Sequence, residues 1–270
     1  MLAAQISERG GARGVEEAEA LMEPEERSDR TVWVEELGLF SLFYYRSSEA
    51  EWQALATPEA RADFVASINS VASCPQQVDL PSYPDFSDFA DRRFVGGLRG
   101  SIVAVESLYR RWTEIAGAQL TFAHDTGFYD SDSAAHMRYL YQSLGIELDP
   151  QNILPPDHLS LLLGFLALLV EHSTPADSCT FIDEHLDWLP ELSQTIRERA
   201  PDVGWLLALN ELLIEYLKNM QRELRDKEVS QYGEMGYNQE GPDCRFGSDS
   251  RADGRGSTLQ TGLAAVRNHG

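Results

Sequence analysis

Asp157 and His158 stand side by side, behind Pro155 and Pro156 and ahead of an apolar run from Leu159 to Val170. A carboxylate next to an imidazole can move protons as an acid–base pair, or it can hold a cationic ligand. Its position in the chain bears on the choice. Prolines cannot continue a helix but can open one. Asp157 is a good N-cap, because its carboxylate can accept from the free N–H groups of a first helical turn. The run behind it is apolar on every side, the pattern of a helix buried in a core. The couplet therefore marks the mouth of a buried helix, at the positive end of its dipole. A structural role stands beside the functional one: the acid caps the helix, and the imidazole pairs with it or with a backbone carbonyl.

The remaining reactive residues carry less. Asp183-Glu184-His185 offers three metal-ligand types, but neighbours on a helix point in different directions, so no metal site is expected. Cys179 reads as a small buried hydrophobe, and His172 as a cation suited to a helix C-terminus. Arg92-Arg93-Phe94-Val95 lies mid-chain with no export-type apolar segment behind it, and reads as a solvated helix face. There is no G-x-S-x-G elbow, P-loop or H-E-x-x-H. None of the 6 histidines has a Glu three residues before it, as a di-iron bundle site needs. No catalytic residue and no cofactor is expected. A hydrolase using Asp157 and His158 is the alternative, and an acidic helical adaptor is another.

These residues need helices to position them. Apolar residues recur at helical spacing from near Thr31, through Trp33, Leu37, Phe40 and Phe43. Thr57-Pro58 opens a second helix that closes at Cys74-Pro75. A loop spans Val78 to Phe86, and a long helix is expected from Asp85 towards Trp112, kinked at Gly96, Gly97 and Gly100. Residues 113–131 read as irregular. Further helices are expected over Ser133–Leu144 with Gly145 as C-cap, over Leu159–His172, over Pro175–Arg199 with Pro190 perturbing it, and over Val203–Arg225. No segment alternates like a strand, so the fold class is all-α, a single helical bundle. The bundle spans residues 29–228, between an acidic disordered tail at 1–28 and a polar disordered tail at 229–270.

The formal net charge is −22 over 270 residues, which excludes a basic nucleic-acid surface. It favours solubility and a cationic partner. Lysine occurs only at Lys218 and Lys227. Cys74, Cys179 and Cys244 share no short spacing, so a reducing compartment is expected. The Leu159–Val170 run is too short to span a bilayer, which takes about 20 apolar residues. A soluble, cytoplasmic protein is the expectation.

The proline turn, Asp-His and apolar helix together resemble the E-P-x-D-H signature of the TorD/DmsD/NarJ-like chaperones. Val105-Glu106-Ser107-Leu108-Tyr109 resembles that family's E-S-V-Y segment, and Asp132 to Tyr141 the amphipathic helix before the signature. Phe181 to Pro190 is similar to its F-x-x-x-H-L-x-x-W-x-P segment. The glutamate that usually opens the signature is Leu154 here. The resemblance covers residues 32–225. It implies a helical chaperone for a molybdopterin oxidoreductase catalytic subunit. Such a protein binds the twin-arginine leader or apo-form in the cytoplasm, and assists maturation before export. On that reading Asp157, His158 and Pro155 form the peptide-binding hot spot, with Glu106 and Tyr109 in the neighbouring groove. The protein is then a monomer or a helix-swapped dimer.

Overall fold

The computed structural model describes residues 24–94, 100–148 and 154–235. Among them are eight α-helices: α1 (Pro24–Ser41), α2 (Pro58–Val71), α3 (Tyr83–Arg93), α4 (Asp132–Ser143), α5 (Leu159–His172), α6 (Pro175–His185), α7 (Leu189–Arg199) and α8 (Gly204–Met235). Short 3-10 turns occupy Leu42–Tyr44, Glu51–Leu55 and Glu106–Leu108. The only extended pairing among the described residues is an isolated antiparallel bridge, Val105 to His158. The fold is all-α, as expected. The expected disordered tails fall mostly outside the described residues. The outer helices do reach further than their periodicity indicates, to Pro24 at one end and Met235 at the other.

α5 is the hub. Its whole first turn is buried, and so are Phe165, Leu166 and Val170 further along. α1 packs along one side of it and α6 against another. α8 then spans α6, α7 and α2. Polar bolts tie these layers together. Glu36 on α1 accepts from Tyr216 of α8 at 2.7 Å and from Ser67 of α2 at 2.5 Å. Asn210 of α8 donates to the Leu189 carbonyl at 3.1 Å and to Ser193 at 2.8 Å, and accepts from Tyr44 at 3.1 Å. Each bolt satisfies polar groups that burial would otherwise strand. Phe43, Trp52, Phe86, Phe89 and Trp205 add an aromatic cluster at one end, mostly edge-on or tilted.

Two expected helices break. The helix expected from Asp85 towards Trp112, with a kink or break at its glycines, stops at Arg93. Gly100 takes φ +84°, and the chain then runs extended to the bridge at Val105. The second break splits Pro175–Arg199 at Leu186–Trp188, so that Pro190 lies in the first turn of α7 and not in mid-helix. A proline is tolerated there because that N–H has no helical partner. Residues 113–131 hold turns and no helix, as expected.

Arg93 closes the first break. Its guanidinium donates to the Gly100 carbonyl at 3.3 Å and to both Asp202 oxygens at 3.0 Å. A Cβ on Gly100 would lie 2.4 Å from that guanidinium and would be held at positive φ. Gly100→Ala is therefore expected to cost about 1–3 kcal/mol, read as a fall in the urea midpoint without change in slope.

Candidate functional site

The signature couplet sits where three segments converge. Asp157 is fully buried. Its Oδ2 accepts from the Ser107 N–H at 2.8 Å and from the Ser107 hydroxyl. Ser107 in turn accepts from the Ser131 hydroxyl at 2.8 Å. The backbone pairs as well: the Glu106 N–H reaches the Asp157 carbonyl at 3.0 Å, and the Leu159 N–H reaches the Ala104 carbonyl at 2.8 Å. The latter bond satisfies one of the orphan donors of the α5 N-terminus.

The cap of α5 differs from the expectation by one residue. His158, not Asp157, is the N-cap, and its Nδ1 accepts from the Ser160 N–H at 3.3 Å. Asp157 finds a better partner in Ser107, which offers both an N–H and an O–H. His158 is 5% exposed, and burial holds its imidazole down to about 3. It is neutral at physiological pH, with its remaining proton on Nε2. No hydrogen bond joins Asp157 to His158 among the described residues, so the acid–base pair of the hydrolase reading is not assembled.

The other expected residues surround this junction. Pro155 is half-buried, and its carbonyl accepts from the His158 N–H at 3.0 Å. Glu106 is fully buried. Its Oε2 accepts from His185 Nδ1 at 2.8 Å, and its Oε1 lies 2.9 Å from Arg110 Nε, an ion pair angled away from a hydrogen bond. Tyr109 stacks on Trp188 at 4.9 Å and donates to the Val103 carbonyl at 3.0 Å. Burial pushes its phenol up to about 12. Ser107, Ser131 and His185 hold the junction together, yet spacing could not find them as partners, because they lie 24 to 79 residues from what they touch.

Two cavities flank the junction. The larger, about 470 Å³, is a groove between α1 and α5. Its walls are Val34, Leu39, Leu42, Leu154, Leu161 and Tyr45, with Glu35 and Glu51 also lining it. It exists because Gly38 on α1 faces Gly164 and Ala167 on α5, leaving space that larger side chains would fill. Both ends of the signature touch it, through Leu154 and Ser160. The second, about 440 Å³, is lined by Tyr109, Tyr129, Thr195 and Arg199. Of the five expected peptide-binding residues, Tyr109 lines this second cavity, while Asp157, His158, Pro155 and Glu106 line neither.

A family model described as nitrate reductase delta subunit matches residues 60–199, just over half of the chain. The chain belongs to that family. The nitrate reductase delta family comprises NarJ/TorD-type chaperones of molybdoenzyme maturation, in line with the motif resemblance. The match takes in α2 through α7 and so includes Glu106, Asp157, His158 and His185. The comparison with curated proteins found no match, and neither did the comparison with solved structures. Among the described residues of this family member, no helix is long and apolar enough to cross a membrane.

Two measurements check the junction. Asp157→Ala strands the Ser107 N–H and hydroxyl in the interior, so it is expected to cost about 2–4 kcal/mol in urea unfolding, with Asp157→Asn costing less. The second is a pH dependence. His158 binds its proton more readily when unfolded, near 6.5, than when folded, near 3. Its contribution is thus complete above the unfolded value and is lost as pH falls from there towards 3. At pH 5 that loss is about 2 kcal/mol. His158→Asn keeps a capping acceptor and should remove this component, shown by a smaller stability difference between pH 7.5 and pH 5 than in the wild type.

Proposed function

We propose that this chain binds the twin-arginine leader or apo-form of a molybdopterin oxidoreductase subunit in the cytoplasm, and holds it until maturation precedes export. The observation that carries this reading is the α1–α5 groove: an apolar trough with carboxylates along it, opening beside the family signature. A twin-arginine leader has the complementary layout, two guanidinium groups followed by an apolar stretch. Carboxylates offer Arg charge-assisted, bidentate hydrogen bonds. An amphipathic or extended segment finds its apolar complement in a groove between helices.

The carboxylates suit the task. Glu35 is exposed. At Glu51, burial pulls the carboxyl upward, but hydrogen bonds from Ser48 and Tyr45 outweigh it and hold the group below its usual value. It stays ionised. The net charge of −22 speeds encounter with a cationic peptide, most at low salt.

In this reading Asp157, His158 and Pro155 act on the leader from behind the wall. They fix Leu154 and Ser160 at the groove mouth. Glu106 and Tyr109 hold the opposing turn. The buried, unpaired state of the couplet disfavours the hydrolase alternative, and no particular observation favours an adaptor that works through charge alone.

Gly38 supplies the test. A Cβ there meets nothing within 4 Å, so the side chain of Gly38→Leu starts from open space in the wall of the trough. Calorimetry with leaders from molybdoenzyme subunits of the same genome is expected to show binding. Replacing the Arg pair by Lys-Lys, or introducing Gly38→Leu, should each weaken it at least about tenfold, or roughly 1.4 kcal/mol. Failure of every leader and apo-subunit to bind would remove the proposal. Wild-type affinity in Gly38→Leu would remove the groove from it.

A further inference from the structure

On the far side of the junction from the groove, α4 and α6 meet through two histidines. His136 Nδ1 lies 2.9 Å from His185 Nε2, and the rings stack with centroids 5.0 Å apart. His185 is buried, and its Nδ1 is bonded to Glu106 at 2.8 Å. Glu184, the next residue back, brings a carboxylate so that one atom from each of His136, Glu184 and His185 lies within 4.8 Å of the others. The Glu184 backbone is itself held, since its carbonyl accepts from Arg110 at 2.6 Å.

We propose that these three side chains form a binding site for a divalent transition-metal ion, with Zn²⁺ the best fit. His136 Nδ1, His185 Nε2 and a Glu184 oxygen are the protein ligands, and water takes the fourth position. The donor set of two imidazoles and one carboxylate is of the kind that Zn²⁺ accepts in sites with an open position.

The surroundings are what such a site requires. A ligating histidine gives its other N–H to a carboxylate, which fixes the ring and its tautomer. Glu106 does this for His185, leaving the Nε2 lone pair aimed at His136. In the metal-free state His136 Nδ1 and His185 Nε2 share one hydrogen bond. An ion that enters replaces that hydrogen bond, with both nitrogens offering it their lone pairs. Ligand nitrogens at about 2.0–2.1 Å from Zn²⁺ lie roughly 3.3 Å apart in a tetrahedron. The two nitrogens therefore part by only a few tenths of an ångström, and the His136 ring turns so that both lone pairs converge on the ion. His136 and Glu184 are exposed, so an ion can reach the site and His136 is free to shift.

Of the adjacent triplet Asp183-Glu184-His185, two residues do converge, contrary to the expectation that helix neighbours point apart, and the third does not. Asp183 faces α8, where it accepts from Gln221 at 2.8 Å and Arg225 at 2.9 Å. The third ligand comes instead from α4, 48 residues before Glu184. The site is independent of leader binding, and it can be read on the protein alone.

Calorimetric titration of the full chain with ZnCl₂ tests the site, with Co²⁺ as a visible-absorption probe of tetrahedral ligation. One equivalent of Zn²⁺ is expected to bind. His136→Ala and Glu184→Gln should each weaken binding at least about tenfold and remove the Co²⁺ absorption, with the helical circular-dichroism spectrum retained. His172→Ala, at an exposed histidine elsewhere, should bind as the wild type does. No uptake by wild type at Zn²⁺ on the order of 10 µM overturns the proposal. So does affinity undiminished by both ligand substitutions.

Discussion

A carboxylate in the protein interior has to be given hydrogen bonds, and much of this fold follows from where Asp157 gets them. Fully buried, the polar side chain would be expensive to hold without partners. Ser107 supplies two donors, and Ser131 steadies Ser107. Bonding one oxygen of that acid brings together the 3-10 turn after Val105, the approach to α4 and the start of α5. The backbone bridge between Val105 and His158 completes the joint at the start of α5, whose first turn is buried throughout.

The same constraint separates holding from binding. The Asp157 Oδ2 and the Ser107 hydroxyl are already engaged with each other inside the junction. The surfaces that are available lie on either side: small residues of α1 and α5 leave a trough, and His136 and Glu184 expose donors above His185. Glu106 links the joint to the second of these. It sits one residue from Ser107 in the chain, and its carboxylate orients His185. The signature and its partner segments thus form a frame whose two faces can carry different chemistry.

How much of this was legible in the sequence depended on the range of the interaction. Helix starts with a capping side chain and a proline read correctly: Thr57-Pro58 opens α2, and Pro175 opens α6 behind the Thr174 capping box. The all-round apolar run named the central helix. The glycines after Arg93 marked a kink or break without deciding between them, because both fit glycines in a helical pattern. What ends the helix is Arg93 reaching to Gly100 and to Asp202, 109 residues away. The shift of the cap from Asp157 to His158 has the same origin, since only contact with Ser107 decides which polar residue turns inward. Motif resemblance located the family and the region of the junction, but it could not tell a side chain that touches a ligand from one that holds the wall.

The joint at Asp157 also bears on motion. The amide protons of Glu106, Ser107 and Leu159 are all sheltered by bonds that cross this one patch. None of them can reach water unless the two segments of the joint separate, and loss of one bond removes the support of the next. Hydrogen exchange at these three sites is therefore governed by a single cooperative opening, distinct from the fraying of the helix ends around it.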